Sequence, residues 1–124
     1  VMFPPIRARF ESGKAFGGAD YLAAWERMMG ARAAWTQATA GFDAVLCPTA
    51  PILPPKIDKL MEQGEYYVTA NLLALRNTRV ANVMGLCATS LPTGVASCGV
   101  SVMCAPMAED RLLRLSAAAE SALS

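Results

Sequence analysis

The stretch from residue 80 to residue 108 contains no charged side chain, and this feature constrains the fold more than any other. A run of that length is compatible with a membrane-spanning helix, which needs about 20 apolar residues. However, the run contains Pro92, Pro106, three glycines and several Ser, Thr and Asn residues, which disfavour an uninterrupted helix. Two buried strands, at residues 88–91 and 99–105, joined by a glycine-containing loop, explain it better. No membrane partner is therefore expected.

The first half of the chain predicts a long helix followed by a third strand. Asp20 is a good N-cap for this helix, and Gly41 is a good residue to end it. Apolar side chains occupy most of the helix surface, so the helix is expected to be largely buried. Residues 42–47 form a short apolar run that predicts a strand, and the proline-rich residues 49–55 predict a loop.

Short helices are predicted elsewhere, and the last one has a clear apolar stripe. Before the long helix, Phe3 and the two prolines after it favour extended chain. The remaining predicted helices are residues 57–64, 65–75 and 109–123, and residues 78–86 are expected to be either helical or irregular. The order of elements predicts an α/β fold, with a partial mixed sheet of about three strands flanked by helices. Residues 1–124 are expected to form a single segment.

The chain is unusually apolar for its length of 124 residues. Charged residues make up 17% of it and apolar residues 54%, and its mean hydropathy is +0.32. A small domain has the least interior and so needs the most polar surface. We therefore expect part of the surface to be covered by a partner, or the chain to be a piece of a larger body. The net charge of +1 gives no electrostatic reason to expect nucleic acid as a direct partner.

The chain has no histidine, which excludes histidine acid–base catalysis, Ser–His and Cys–His nucleophiles and histidine metal ligands. Its cysteines form no CxxC pair and lie in apolar runs. This pattern favours reduced, structural thiols in a cytoplasmic protein over a disulfide scaffold or a metal site. The cysteines are Cys47, Cys87, Cys98 and Cys104. No complete catalytic set is present in these residues, and neither a cofactor nor a metal is expected.

Two polar features are candidates for binding. Residues 76–79 (RNTR) interrupt apolar sequence on both sides. Guanidinium and amide groups beside buried segments need partners, and a wall for an acidic or amide substrate would supply them. A structural network that ties a helix to a loop would do so equally well, and both alternatives stay open. Arg7 and Arg9 lie in the irregular N-terminal stretch, where such residues are more often solvated.

Ordered sequence blocks resemble the amidase signature family. Residues 42–55 (FDAVLCPTAPILPP) are similar to its YDALLxPTxPxxAP segment, and residues 77–94 (NTRVANVMGLCATSLPTG) to its xTxPxNLxGxPAxSxPxG segment. Residues 98–110 and 111–123 resemble the blocks that follow, and Arg9 with Gly13 resembles an RxxxG element. The blocks occur in order over almost the whole chain. The resemblance implies the C-terminal part of an amidase, or of an enzyme like the glutamyl-tRNA amidotransferase A subunit, and a fragment of that family's larger sheet.

The resemblance also implies a role for individual residues. Enzymes of this family cleave amides with a Ser–Ser–Lys set, which lies upstream of the matched region, so no catalytic residue is expected here and the chain alone is predicted to be inactive. Arg9 matches an arginine that holds the carboxylate of the amide donor in the amidotransferase branch. Arg76 and Asn77 are expected to bind substrate with it. That branch has an acidic residue near the position of Leu75, which cannot bind an ammonium group, so a small amide other than glutamine is expected. Departures from the family pattern at Val80, Cys87 and Ala108 indicate a distant amidase branch.

Two functions follow from these observations. The first is a segment of an amide-bond hydrolase that supplies substrate-wall and core elements. The alternative is a non-catalytic α/β interaction module that assembles through an apolar surface. Either way, the expected partners are the missing N-terminal part of the same enzyme or a second copy of this chain.

Overall fold

A three-stranded antiparallel sheet lies at the centre of the fold. The computed structural model describes residues 2–62 and 64–123. The strands are β1 (Val45–Pro48), β2 (Cys87–Pro92) and β3 (Gly99–Cys104). The helices are α1 (Pro4–Ser12), α2 (Gly18–Thr39), α3 (Ile57–Glu62), α4 (Gly64–Ala74), α5 (Thr78–Met84) and α6 (Glu109–Leu123), with a 3₁₀ turn at Gly13–Ala15. The predicted α/β architecture of about three strands flanked by helices is confirmed.

Strand β3 is the centre of the sheet, and β1 and β2 pair with its two edges in the order β1-β3-β2. Residues 101–104 of β3 are all buried, as a central strand covered on both faces should be. The expected third strand begins at Val45 instead of Phe42. The reason is that the Phe42 N–H donates to the Thr39 carbonyl at 3.0 Å and so closes the end of α2.

The core lies between α6 and one face of the sheet. Leu91, Val102 and Cys104 alternate along β2 and β3 onto this face and meet Leu112 of α6. Val102 is 2% exposed, which makes it the most buried large side chain of the described residues. The apolar stripe predicted for α6 is confirmed at Leu112, and the helix has the predicted bounds, Glu109–Leu123.

Both predicted N-terminal boundaries need correction. Helix α1 begins at Pro4, because proline has the backbone angle of a first helical turn and needs no N–H partner there. The extended preference applies only to Phe3, whose ψ is 129°. Helix α2 is capped by Gly17, not by Asp20. The Asp20 carboxylate lies inside the first turn and accepts the Gly17 N–H at 3.0 Å.

The prediction that α2 is largely buried is wrong for the described residues, because none of its side chains is buried. Within them, α2 packs chiefly against α5, a helix of only seven residues that cannot cover one of 22. Large apolar side chains on α2 are therefore exposed: Tyr21, Leu22, Trp25 and Met29.

One side chain of α2 makes the connection to α5. Arg32 donates through Nε to the carbonyl oxygen of Val83 at 2.8 Å, and its guanidinium lies 5.9 Å from the Trp25 ring centre. Gly85 ends α5 in the left-handed region, with φ of 72°, and allows the guanidinium to approach the helix end. A positive side chain thus meets the negative end of a helix.

No helix in the described part of the chain is long and apolar enough to span a bilayer.

Candidate functional site

Three hydroxyl groups meet on the sheet face opposite α6, one from each strand or its extension. Ser90 of β2 and Ser101 of β3 are paired directly across the ladder. Thr49 follows β1, and its N–H donates to the Gly99 carbonyl at 2.9 Å, which continues the pairing by one residue. Its Oγ1 lies 2.6 Å from the Ser90 Oγ and 3.0 Å from the Ser101 Oγ. Thr49 is therefore the central member of a chain of three hydroxyls.

Asn77 lies beside this hydroxyl chain, at the N-cap position of α5. Its Nδ2 donates to the Pro48 carbonyl oxygen at 2.7 Å, which ties α5 to the end of β1. A carbonyl can only accept, so this contact fixes which side of the amide is nitrogen. The Asn77 Oδ1 accepts no hydrogen bond from the rest of the described chain. The residue thus makes one structural contact and keeps one polar atom unused.

A cavity of about 320 Å³ separates α5 from this sheet face. Thr49, Ser90 and Asn77 line it, together with Asn82 and Thr78, and none of its lining residues is charged. A second cavity, of about 420 Å³, also adjoins Thr49 and Ser90 and is lined by the loop at residues 50–53. The hydroxyl chain therefore borders two cavities.

Arg9 lies elsewhere, on the exposed surface of α1. It lines a mainly apolar groove of about 400 Å³ between α1 and α4, whose other walls include Ile6, Val68 and Leu72. The neighbouring Arg7 forms an ion pair with Glu11 at 2.9 Å. Arg9 forms no ion pair with any residue that the structure describes. Its charge is therefore unpaired at the edge of an apolar groove.

The three predicted substrate-binding residues are not brought together by the described residues. Arg9 lines the groove between α1 and α4, and Asn77 lines the cavity beneath α5. Arg76 is exposed in the turn between α4 and α5 and lines neither of these spaces. Its backbone N–H donates to the Leu73 carbonyl at 3.0 Å, which continues the end of α4.

The hydroxyl chain was not predicted from the sequence. The signal for it is the presence of Ser90 and Ser101 within strands whose other residues are mostly apolar. A polar residue inside a buried strand needs a partner, but the sequence does not say which residue supplies it. The partner is Thr49, which is 41 positions from Ser90 and 52 from Ser101.

The cysteines have different environments. Cys104 is buried, and burial raises the pKa of its thiol above the ordinary value, with the neighbouring Cys87 acting in the same direction. Cys98 is exposed, so the expectation that all four thiols are packed in apolar surroundings is wrong for this one. In the described residues, no three Cys, Asp or Glu side chains are grouped closely enough to hold a metal ion.

Comparison with known proteins covers nearly the whole chain. Residues 2–113 match the model of the family described as Amidase. A protein of Comamonas testosteroni named 2-amino-5-chloromuconic acid deaminase is 30% identical over 114 residues, which is 89% of this chain and 24% of that protein. The chain thus spans about a quarter of the length of this relative. No solved structure gives a significant match.

Proposed function

The chain belongs to the amidase family, and on this premise we propose that it is the C-terminal part of an amide-bond hydrolase acting on a small amide. In this proposal the catalytic Ser–Ser–Lys set lies in other residues of the polypeptide. The residues described here supply part of the substrate wall and of the core. The match to only 24% of the deaminase supports this, because the remainder of such an enzyme would hold the reacting groups.

We further propose that the substrate carries a carboxylate. The deaminase is named for a small organic acid, and Arg9 is the group in this chain suited to bind one. Its unpaired charge beside an apolar groove is the single observation that carries the proposal. A guanidinium can bind both oxygens of a carboxylate, and the groove would hold the apolar body of the substrate. Leu75 argues for this type of substrate rather than glutamine, since it cannot bind an ammonium group.

The test compares Arg9→Gln with Arg7→Gln in the full polypeptide that carries this chain. Ammonia release is measured with succinamate, which has a carboxylate, and with butyramide, which has none. We expect Arg9→Gln to raise the KM for succinamate by about 10-fold, the cost of one charge-assisted hydrogen bond, and to leave butyramide unaffected. Arg7→Gln is the matched control, because Arg7 is on the same helix and is engaged by Glu11.

An equal effect of both substitutions on both amides would contradict the role of Arg9. Absence of ammonia release from any small amide would contradict the hydrolase itself. The 124-residue chain assayed alone is expected to be inactive, and turnover by it would contradict the placement of the catalytic set outside these residues. Arg76 and Asn77 remain proposed substrate contacts, and Arg76→Gln tests the first of them in the same assay.

The exposed apolar side chains of α2 fit the same proposal. Leu22 is 62% exposed and Met29 is 56% exposed, which is unusual for a helix with this many large apolar residues. We propose that the rest of the enzyme covers this helix. The same surface would also suit a non-catalytic module that assembles through it. The coding sequence upstream separates the two, since an in-frame segment with one Lys and two Ser in a Gly/Ser-rich stretch supports the enzyme.

A further inference from the structure

The chain of three hydroxyls has one proton more than it can use internally. Each hydroxyl of Thr49, Ser90 and Ser101 has a single O–H to donate, and the two hydrogen bonds between them consume two protons. None of the three side chains has another hydrogen-bond partner among the described residues. One O–H is therefore left to donate to a group outside the chain of hydroxyls.

Burial decides which hydroxyl keeps the unused proton. Ser101 is 8% exposed, and its only partner is Thr49. A buried O–H without an acceptor is unfavourable, so Ser101 donates to Thr49. The proton left over then belongs to Thr49 or to Ser90, and both line the cavity beneath α5. In either arrangement, the hydroxyl that keeps its O–H free lines this cavity and can donate into it, and its hydrogen bonds to the other hydroxyls polarise it.

Asn77 supplies the complementary acceptor on the same cavity. Its Nδ2 is held by the Pro48 carbonyl, the residue immediately before Thr49, and its Oδ1 is unused by the described chain. The lining holds no charged residue that could balance an ionised ligand. A ligand group that suits this wall is uncharged and has one acceptor and one donor.

We propose that the cavity between α5 and the sheet binds an uncharged carboxamide group. The carbonyl oxygen accepts from the Thr49–Ser90 hydroxyls, and the NH₂ group donates to the Asn77 Oδ1. The inference rests on the proposed function to the extent that it makes this group part of the amide substrate. A carboxylate is disfavoured there, because it has no proton to offer Asn77 and finds no positive charge.

Gly99 offers an independent way to perturb this subsite. A Cβ at this position would lie 3.2 Å from the Ser90 Oγ and 3.2 Å from the Thr49 Oγ1. The Gly99 φ is outside the left-handed region, so alanine costs little backbone strain. Gly99→Ala therefore crowds the two hydroxyls, which must shift by a few tenths of an ångström, without removing either of them.

The experiment measures binding of benzamide and benzoate by calorimetry to the full polypeptide that carries this chain. The variants are Ser90→Ala, Thr49→Val and Gly99→Ala. Each is expected to weaken benzamide binding by about 2- to 12-fold, the range for one neutral hydrogen bond, and to leave benzoate binding unchanged. A corresponding rise in KM with unchanged kcat is expected for an uncharged amide substrate.

Ser116→Ala is the matched control. The Ser116 hydroxyl also forms a 2.6 Å bond, to the Thr89 hydroxyl, but it does so on the α6 side of the sheet, and Ser116 does not line the cavity. This substitution should lower stability like Ser90→Ala and leave benzamide binding unchanged. Benzamide affinity equal to wild type in both Ser90→Ala and Thr49→Val, or lowered equally by Ser116→Ala, would overturn the subsite.

The two proposals fail separately. If the polypeptide binds benzamide with the expected variant pattern but releases ammonia from no amide, the subsite stands and the hydrolase is refuted. If it hydrolyses amides, and both Ser90→Ala and Thr49→Val leave KM and benzamide affinity unchanged, the hydrolase stands and the subsite is refuted.

Discussion

Replacing Arg32 tests whether a single side chain of α2 holds α5 in place. Arg32→Ala removes the 2.8 Å hydrogen bond to the Val83 carbonyl and the cation–π contact with Trp25. A hydrogen bond from a charged donor contributes about 1.5 kcal/mol at the low end of its range, which suits a half-buried group. An exposed cation–π contact adds about 0.5–1 kcal/mol. With solvent screening, we expect a loss of about 1–2 kcal/mol in the free energy of unfolding.

The assay is urea and thermal denaturation followed by circular dichroism. For a chain of this size the loss corresponds to a fall in Tm of roughly 3–10 °C. Amide hydrogen exchange adds a local readout, because protection should fall in α5 and be kept in α6. Arg27→Ala is the control, since Arg27 lies exposed on the same helix and makes no ion pair within the described residues.

The reasoning is refuted if Arg32→Ala and Arg27→Ala differ by less than about 0.3 kcal/mol and the exchange of α5 is unchanged. That result would mean that α5 is positioned by the rest of its contacts. The position of α5 is important for the proposed subsite, because α5 places Asn77 over the sheet.

Three further predictions concern the surface and the thiols. The 124-residue chain alone should elute from size-exclusion chromatography as a species larger than a 13.1 kDa monomer. The double substitution Leu22→Lys and Met29→Glu should shift the elution toward that of the monomer. Unchanged elution of this variant would show that α2 is not the contact between copies. Iodoacetamide at about pH 8 should modify Cys98 well before Cys104, since burial raises the Cys104 pKa. Because the buried Cys104 thiol keeps its proton to a higher pH than in the unfolded chain, its contribution to the free energy of unfolding is complete below the ordinary thiol pKa. This contribution is lost as pH rises through the raised pKa. A free energy of unfolding that does not fall above about pH 9 would contradict this prediction.

Local sequence patterns predicted the elements that depend on local interactions. The central strand and α6 were predicted closely, because a run of apolar residues between turns and a stripe at helical spacing are properties of neighbouring residues. The first half was less accurate at its boundaries. At α2, Gly17 and Asp20 compete for the N-cap, and a carboxylate in the first turn is as favourable as one at the cap. The resemblance to the family could also be recognised without a structure, because it depends on sequence motifs that occur in order along the chain.

The sequence by itself therefore determined the type of fold, the family and the excess of apolar surface. Only the tertiary structure decided which residues meet. The hydroxyl chain joins residues 41 and 52 positions apart, Asn77 reaches Pro48 over 29, and Arg32 reaches Val83 over 51. Periodicity reports which face of a helix or strand is apolar, but it carries no information about which element will lie opposite. Those pairings arise when the sheet closes and the core packs, because burial then forces each polar group to find a partner.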